Sequence, residues 1–203
     1  MRGMASRTPY PEAARELLRQ TLFDAARHHL ETRPWSEVTM GDIAATAGVS
    51  RQTLYKEFGN KSEFAVNLTI HEGERFLGAV EDAVRAHTDN PRAAIRAALE
   101  LFLRTAGEDP LIRLVVTDDG SGGMLPFVTT QGMPVVVWAT ARLSAVIEEG
   151  WPQAPKHEVK LLAEALVRLA ISYITNPSET PDSTAASVAE LLGPFIDRAL
   201  GTA

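Results

Sequence analysis

The sequence predicts an all-α protein: an N-terminal three-helix unit holding a helix-turn-helix, then a larger helical domain, with about nine helices in all. Three observations predict it. Apolar residues recur at three- and four-residue spacing through every long segment. No stretch alternates with the period of two that a half-buried strand requires, and Pro, Gly, Asn and Ser punctuate the helix ends. The expected organisation is a flexible basic arm over 1–11, a helix-turn-helix domain over 12–60, and a second domain over 61–203.

The first helix is expected over 12–33, with Ala14, Leu17, Leu18, Leu22, Ala25, Ala26 and Leu30 on its inner face, and Pro34-Trp35 end it. Thr39 and Asp42 form a variant capping box that opens a helix over roughly 40–46. Ile43, Ala44 and Ala47 give that helix a narrow apolar side, and Gly48 follows where a positive φ costs a glycine nothing. Val49 plugs the corner. Ser50 caps the next helix, roughly 51–57, whose inward residues are Leu54, part of Tyr55, and Phe58. Gly59 stops it, and Asn60 caps a further helix with Glu63 at the third position.

Sorting the 51–57 helix by face leaves Arg51, Gln52, Thr53 and Lys56 outward, with the Tyr55 phenol at the rim. Arg can bridge guanine O6 and N7, Gln can bridge adenine N6 and N7, Thr can meet a thymine methyl, and Lys suits phosphate or guanine. Thr39, Met40, Ser50 and Lys61 lie at helix starts, where phosphate contacts fix register without reading sequence. A solvated helical hairpin would carry some of these residues, but not the full ordered set.

These residues resemble the TetR family of bacterial transcriptional regulators. The resemblance is carried by Val38-Thr39-Met40-Gly41-Asp42-Ile43-Ala44, Ala47-Gly48-Val49-Ser50, Thr53-Leu54-Tyr55 and Phe58-Gly59-Asn60-Lys61. It is specific over about residues 15–65 and only architectural beyond. Glu57 departs from the pattern, since many members carry His there; an acid close to phosphates repels, so Glu57 is expected to point away from DNA or pair with Arg51 or Lys61. The resemblance implies double-stranded DNA as partner, a palindromic operator, a repressor's role and release by a small molecule, with a long-chain acyl or alkyl effector among the types allowed.

At 203 residues and 45% hydrophobic content, the chain can bury a real core. It has no cysteine, hence no disulfide framework or thiolate metal site. It has no run long enough to cross a bilayer and no secretory h-region before Tyr10, so the cytoplasm is expected. The net charge of −6 sits poorly with a nucleic-acid partner until it is divided. Residues 1–61 hold nine Lys/Arg against seven Asp/Glu, leaving eleven of 20 basic against nineteen of 26 acidic groups for the remainder. A weakly basic head on an acidic body docks at one end, salt-sensitively, and needs two copies for useful affinity.

Past the head, Asn60 should open a helix to about His87, with Phe64, Leu68, Phe76, Leu77, Val80 and Val84 inward. Asn90-Pro91 is an N-cap with a first-turn proline, starting a helix to about Ala106. A short helix follows from Asp109-Pro110 to about Thr117, then a glycine-rich loop at 118–123, a helix over 134–149 and a break at Gly150-Trp151-Pro152. Pro155 to Thr175 and Ser183 to Leu200 should form the last two helices, joined by a loop over 176–181. Their wide apolar stripes are expected to pair with a second copy through Leu162, Leu166, Leu169, Val188, Leu191, Leu192 and Phe195, although each must also bury a face inside its own chain.

Between these helices lies an apolar set expected to line a ligand pocket: Phe76, Phe102, Leu103, Ile112, Val115, Val116, Leu125, Phe127, Val128, Met133, Val137 and Trp138. Plain core is the competing reading. Glycines and prolines over 119–134 keep that segment from packing as one helix, which favours a cavity with a lid. Few charges fall in the set, so an apolar or amphipathic effector is expected, with Arg113, Arg142 or His71 available to a polar head. No cofactor is called for. His28-His29 and His71-Glu72-x-Glu74 lack the spacing of a metal site, Gly59-Asn60-Lys61-Ser62 lacks that of a phosphate loop, and Asp118-Asp119 has no nucleophile beside it. An enzyme is thus disfavoured; the remaining alternative is a DNA-binding regulator without a ligand, its large domain serving dimerisation or partner recruitment.

Overall fold

Every regular element is helical among the described residues. The structure, a computed structural model, describes residues 10–109, 112 and 123–201. Residues 1–9 of the expected arm, most of the helix expected from Asp109-Pro110 to Thr117 and most of the glycine-rich loop lie outside these residues, as do Arg113, Val115 and Val116. Eight α-helices are described: α1 (Tyr10–Leu30), α2 (Met40–Thr46), α3 (Arg51–Phe58), α4 (Lys61–Arg85), α5 (Pro91–Glu108), α6 (Met133–Gly150), α7 (Lys156–Thr175) and α8 (Pro181–Leu200). Two 3₁₀ turns, Trp35–Glu37 and Leu125–Phe127, were not foreseen. The last helix starts earlier than expected because Thr180 and Pro181 repeat the cap-plus-proline signal of Asn90-Pro91, the Ser183 amide donating to Thr180 Oγ1 at 3.4 Å.

The chain divides into two compact units, Met1–Phe64 and Ala65–Ala203. The division falls past the expected one at residue 60 because Phe64, fully buried, belongs to the core of the first unit. Its ring centroid lies 4.8 Å from Phe58 and 5.6 Å from Phe23, and it stacks on Trp35 at 6.2 Å. Leu22, Ile43 and Leu54 complete this core. Helix α1 packs on α2, and α2 on α3.

In the second unit α5 packs on α7 and α8, and α6 on α7. Ile95, Ile147, Leu162, Ile196 and Leu200 are the large side chains at the centre of its core. Arg96 reaches Asp182 at 2.6 Å and Arg92 pairs with Asp197, both joining α5 to α8 at the surface, where such pairs add little stability. No described helix is long and apolar enough to cross a membrane.

Candidate functional site

The first unit builds its turn from caps. Thr39 Oγ1 accepts from the Asp42 amide at 3.1 Å while Asp42 Oδ2 accepts from the Thr39 amide at 3.0 Å, satisfying two otherwise open donors of α2. The Thr39 amide and the Thr39 hydroxyl, which also donates to Asp42 Oδ2 at 2.8 Å, hold the Asp42 carboxyl below the usual range, helped by the nearby Arg33 and His29. Gly48 takes φ 69° at the corner, a conformation L side chains rarely adopt, and Ser50 Oγ then accepts from the Thr53 amide at 3.0 Å to start α3. Arg51, Gln52, Tyr55 and Lys56 are exposed on α3, whereas Leu54 and Phe58 are buried beneath. Thr53 is half-buried, its hydroxyl 2.8 Å from Ser50 Oγ. Arg51 lies so close over α2 that a β-carbon at Gly41 would come 2.5 Å from its Nη2.

Three expected contacts read differently in place. Met40 is 3% exposed, so its side chain belongs to the core and only its backbone, in the first turn of α2, is placed to face an anion. Lys61 Nζ donates to the Trp35 carbonyl at 2.7 Å and sits 4.7 Å above the indole, which makes it a pin within the unit rather than a free phosphate ligand. Burial lowers its pKa, opposed by the Asp42 charge. Glu57 pairs with neither Arg51 nor Lys61: Arg15 Nε donates to it at 2.9 Å and Arg19 Nη1 at 3.0 Å. The acid thus ties α3 to α1.

The second unit holds a partly open cavity of about 190 Å³. A single water needs only about 10–15 Å³ on such a scale, so the space suits a sizeable molecule. Its walls come from α4 (Leu68, Thr69, Glu72, Gly73, Phe76), α5, α6 and α7, with Ile112, Met124 and Val128 contributing from the connecting segment. Trp138 reaches across from α6, and a β-carbon at Gly73 would stand 3.0 Å from its ring. Of the expected lining, Phe76, Phe102, Ile112, Val128 and Trp138 face the space. Leu103 and Phe127 are buried in the core instead, Leu125 is half-buried elsewhere, and Met133 and Val137 are 55% and 60% exposed. They fail because α6 turns Val135, Trp138, Ala139 and Leu143 inward, which places Met133 and Val137 on the opposite side. Arg142 pairs with Glu81 and does not line the space.

The walls that sequence reasoning missed include Leu68, Thr69, Glu72 and Gly73, which join Phe76 on α4, and the Leu166, Val167, Ala170, Ile171 and Ile174 stripe of α7. Of that stripe, Leu166 is among the residues expected to pair with a second copy. Leu162, Leu166 and Val188 are all at most 5% exposed and belong to the protomer core, as helices that pack on their own chain require. Leu169, Leu192 and Phe195 are half-buried against the same core. Leu191, at 75% exposure, and Leu161, at 59%, remain outward.

The sequence matches two family descriptions: "Bacterial regulatory proteins, tetR family" over residues 22–68 and "Bacterial Tetracyclin repressor, C-terminal domain" over 90–194. The HTH-type transcriptional regulator AlkX of Mycobacterium tuberculosis is 34% identical over 95% of this chain and 91% of its own length. The chain belongs to the TetR family of bacterial transcriptional regulators. The crystal structure of the TetR family repressor AlkX from a Dietzia strain, implicated in biodegradation of n-alkanes, superposes with a TM-score of 0.76 at 36% identity, covering 90% of this chain and 96% of that one. The Rhodococcus erythropolis repressor QsdR shares the fold at 16% identity, with a TM-score of 0.60 over 87% of this chain and 94% of that one. As a member of this family, the protein is a DNA-binding transcriptional regulator and not an enzyme.

Within the TetR head, Glu57 gives a pH-dependent prediction. Burial alone would raise its carboxyl pKa, but hydrogen bonds and charges from Arg15 and Arg19 outweigh it and the net shift is downward. A depressed folded-state pKa stabilises above the unfolded value and is lost as pH falls through the folded one. The urea midpoint of Glu57→Gln should therefore lie below that of wild type at neutral pH, and the gap should close as pH drops through the carboxylate range. A gap constant with pH would assign the effect to packing alone.

Proposed function

We propose that the protein is a repressor that binds a palindromic operator as a homodimer and is released by an apolar or amphipathic small molecule of alkyl type. The almost wholly apolar cavity carries this reading, because a void of about 190 Å³ forfeits packing that a sequence free to fill it would recover. The TetR relative from Dietzia, whose description connects it with n-alkanes, supports the effector class. Direct readout falls to Arg51, Gln52 and Lys56, with the Thr53 methyl available to a thymine and Tyr55 at the rim; Thr39, Ser50 and the α3 amides serve position.

The effector acts by difference. Helix α4 begins at Lys61 and supplies the cavity wall from Leu68 to Val80. A ligand that binds better when α4 is displaced shifts the population toward a dimer whose two recognition helices no longer match successive major grooves. A ligand indifferent to the two states shifts nothing, however tightly it binds.

Gel-shift titration on the protein's own upstream region tests the reader. Arg51→Ala and Tyr55→Ala should each weaken binding by roughly tenfold or more, since one good base contact is worth about 1–3 kcal/mol, with the thermal midpoint unchanged. Unaltered binding by both variants refutes the assignment. Mass spectrometry of gently purified protein should show a co-purified aliphatic molecule that frees the DNA when added back.

A further inference from the structure

Glycine weakens a helix relative to alanine, and Gly41 stands at the second position of α2 with no positive φ to call for it. The reason lies in the side chain that covers it. A β-carbon at 41 would come 2.5, 2.7 and 2.7 Å from Arg51 Nη2, Cζ and Nε. The three distances are nearly equal, so the flat face of the guanidinium, not an N–H edge, rests on the α2 backbone. That face is weakly hydrated and covers the backbone at small cost. Arg51 is otherwise exposed, and no described residue accepts a hydrogen bond or forms an ion pair with it. Arg92 makes the contrast: it lies as close over Gly193 of α8, but Asp197 takes up its donors. The five donors of Arg51 lie in the plane of the group and are left for something else.

We propose that Gly41 is a positioning residue for DNA readout: its missing side chain leaves a notch that holds Arg51 flat against α2, with the N–H edges open to a base. This rests on reading Arg51 as a base-contacting residue. A bidentate contact with guanine uses one N–H edge and fixes the whole arginine side chain, which loses its rotamer freedom on binding. An arginine already laid on the backbone has given up part of that freedom before DNA arrives, so less is lost in the complex. Any side chain at 41 drives the guanidinium off the notch. The displaced group is the far end of a flexible chain, so the fold absorbs the change and the loss falls on binding.

Gel-shift titration of the full-length protein on a duplex that wild type selects from a randomised pool decides the matter. Gly41→Ala should weaken binding about three- to tenfold, the range set by ordering one long side chain, while its thermal midpoint stays at or above that of wild type. Arg51→Ala should weaken binding by roughly tenfold or more. Adding Gly41→Ala to Arg51→Ala should then change affinity by less than about twofold, because the notch has nothing left to hold. Binding by Gly41→Ala within about twofold of wild type, beside a weakened Arg51→Ala, overturns the positioning role alone. An equal loss in the Arg51→Ala background also overturns it, since the added methyl would then be meeting the DNA itself. A lowered thermal midpoint overturns it in favour of a packing role. Unaltered binding by Arg51→Ala overturns the Arg51 readout and the positioning with it.

Discussion

Phe64→Ala should unfold the DNA-reading unit while leaving the second unit helical. Phe64 is fully buried, and its ring meets Phe23, Phe58 and Trp35, so its loss removes the hub of an aromatic core. Truncating a buried Phe costs about 3–5 kcal/mol, because the cavity left behind collapses only in part. A unit of roughly fifty-five residues holds only about 3–8 kcal/mol of net stability, so the loss consumes most of it. Thermal unfolding followed by Trp35 fluorescence, in a variant with the other two tryptophans replaced, should show the midpoint falling by well over ten degrees, or no native signal at all. Gel-shift binding should vanish with it. A near-wild-type midpoint would mean that this core is not a cooperative unit. Lys61→Met is the milder control: it removes the bond to the Trp35 carbonyl and the cation over the indole but fills the space, so the midpoint should move by only about 1 kcal/mol of stability.

The reader was legible because its signals are local. Thr39 with Asp42, Gly48, and Ser50 each state a backbone requirement within four residues of where it is used, and the outward face of α3 follows from the inward Leu54 and Phe58. Lys61 and Met40 escaped that logic. Whether a lysine reaches a phosphate or a carbonyl, or a methionine faces in or out, depends on a partner far along the chain, here Trp35 for the lysine. Glu57 shows the same limit: its charge demanded a cation, but two arginines of α1 supply it rather than the nearer ones.

The second unit was legible as helices and not as a site. Spacing says that α7 buries a stripe but not against what. Its Leu166 to Ile174 residues line a cavity, and Leu162 fills the core. The clue in the sequence was Gly73, a helix-interior glycine that costs about 1 kcal/mol relative to alanine and so calls for a reason; the reason is the Trp138 ring. The Glu72 carboxylate beside it is buried while its neighbours Glu74 and Arg75 are exposed, a difference that charge in the sequence does not reveal.

Leu191→Glu should convert the proposed dimer into a monomer and weaken operator binding more than a hundredfold. Leu191 is 75% exposed on α8 and Leu161 59% exposed on α7, and large apolar side chains left outward on two long helices are the groups an isologous contact would cover. Burying a leucine is worth about 1.5–3 kcal/mol, and a two-fold interface counts every change twice. Glutamate at this position would also bring one added negative charge from each copy into the contact. Sedimentation at micromolar concentration should report a monomer with unchanged helical content. Operator binding falls further than the change in contact area implies, because one half-site contact alone holds a weakly basic head poorly at physiological salt. Leu162→Ala provides the contrast. At 2% exposure in the protomer core, its truncation should cost about 2–5 kcal/mol of folding stability and leave the association constant of the folded fraction unchanged. The two substitutions lie on adjacent helices and would have been given one role by apolar spacing alone, so their divergence separates the outward stripe from the inward one. If Leu191→Glu stays dimeric, the interface lies elsewhere on the second unit.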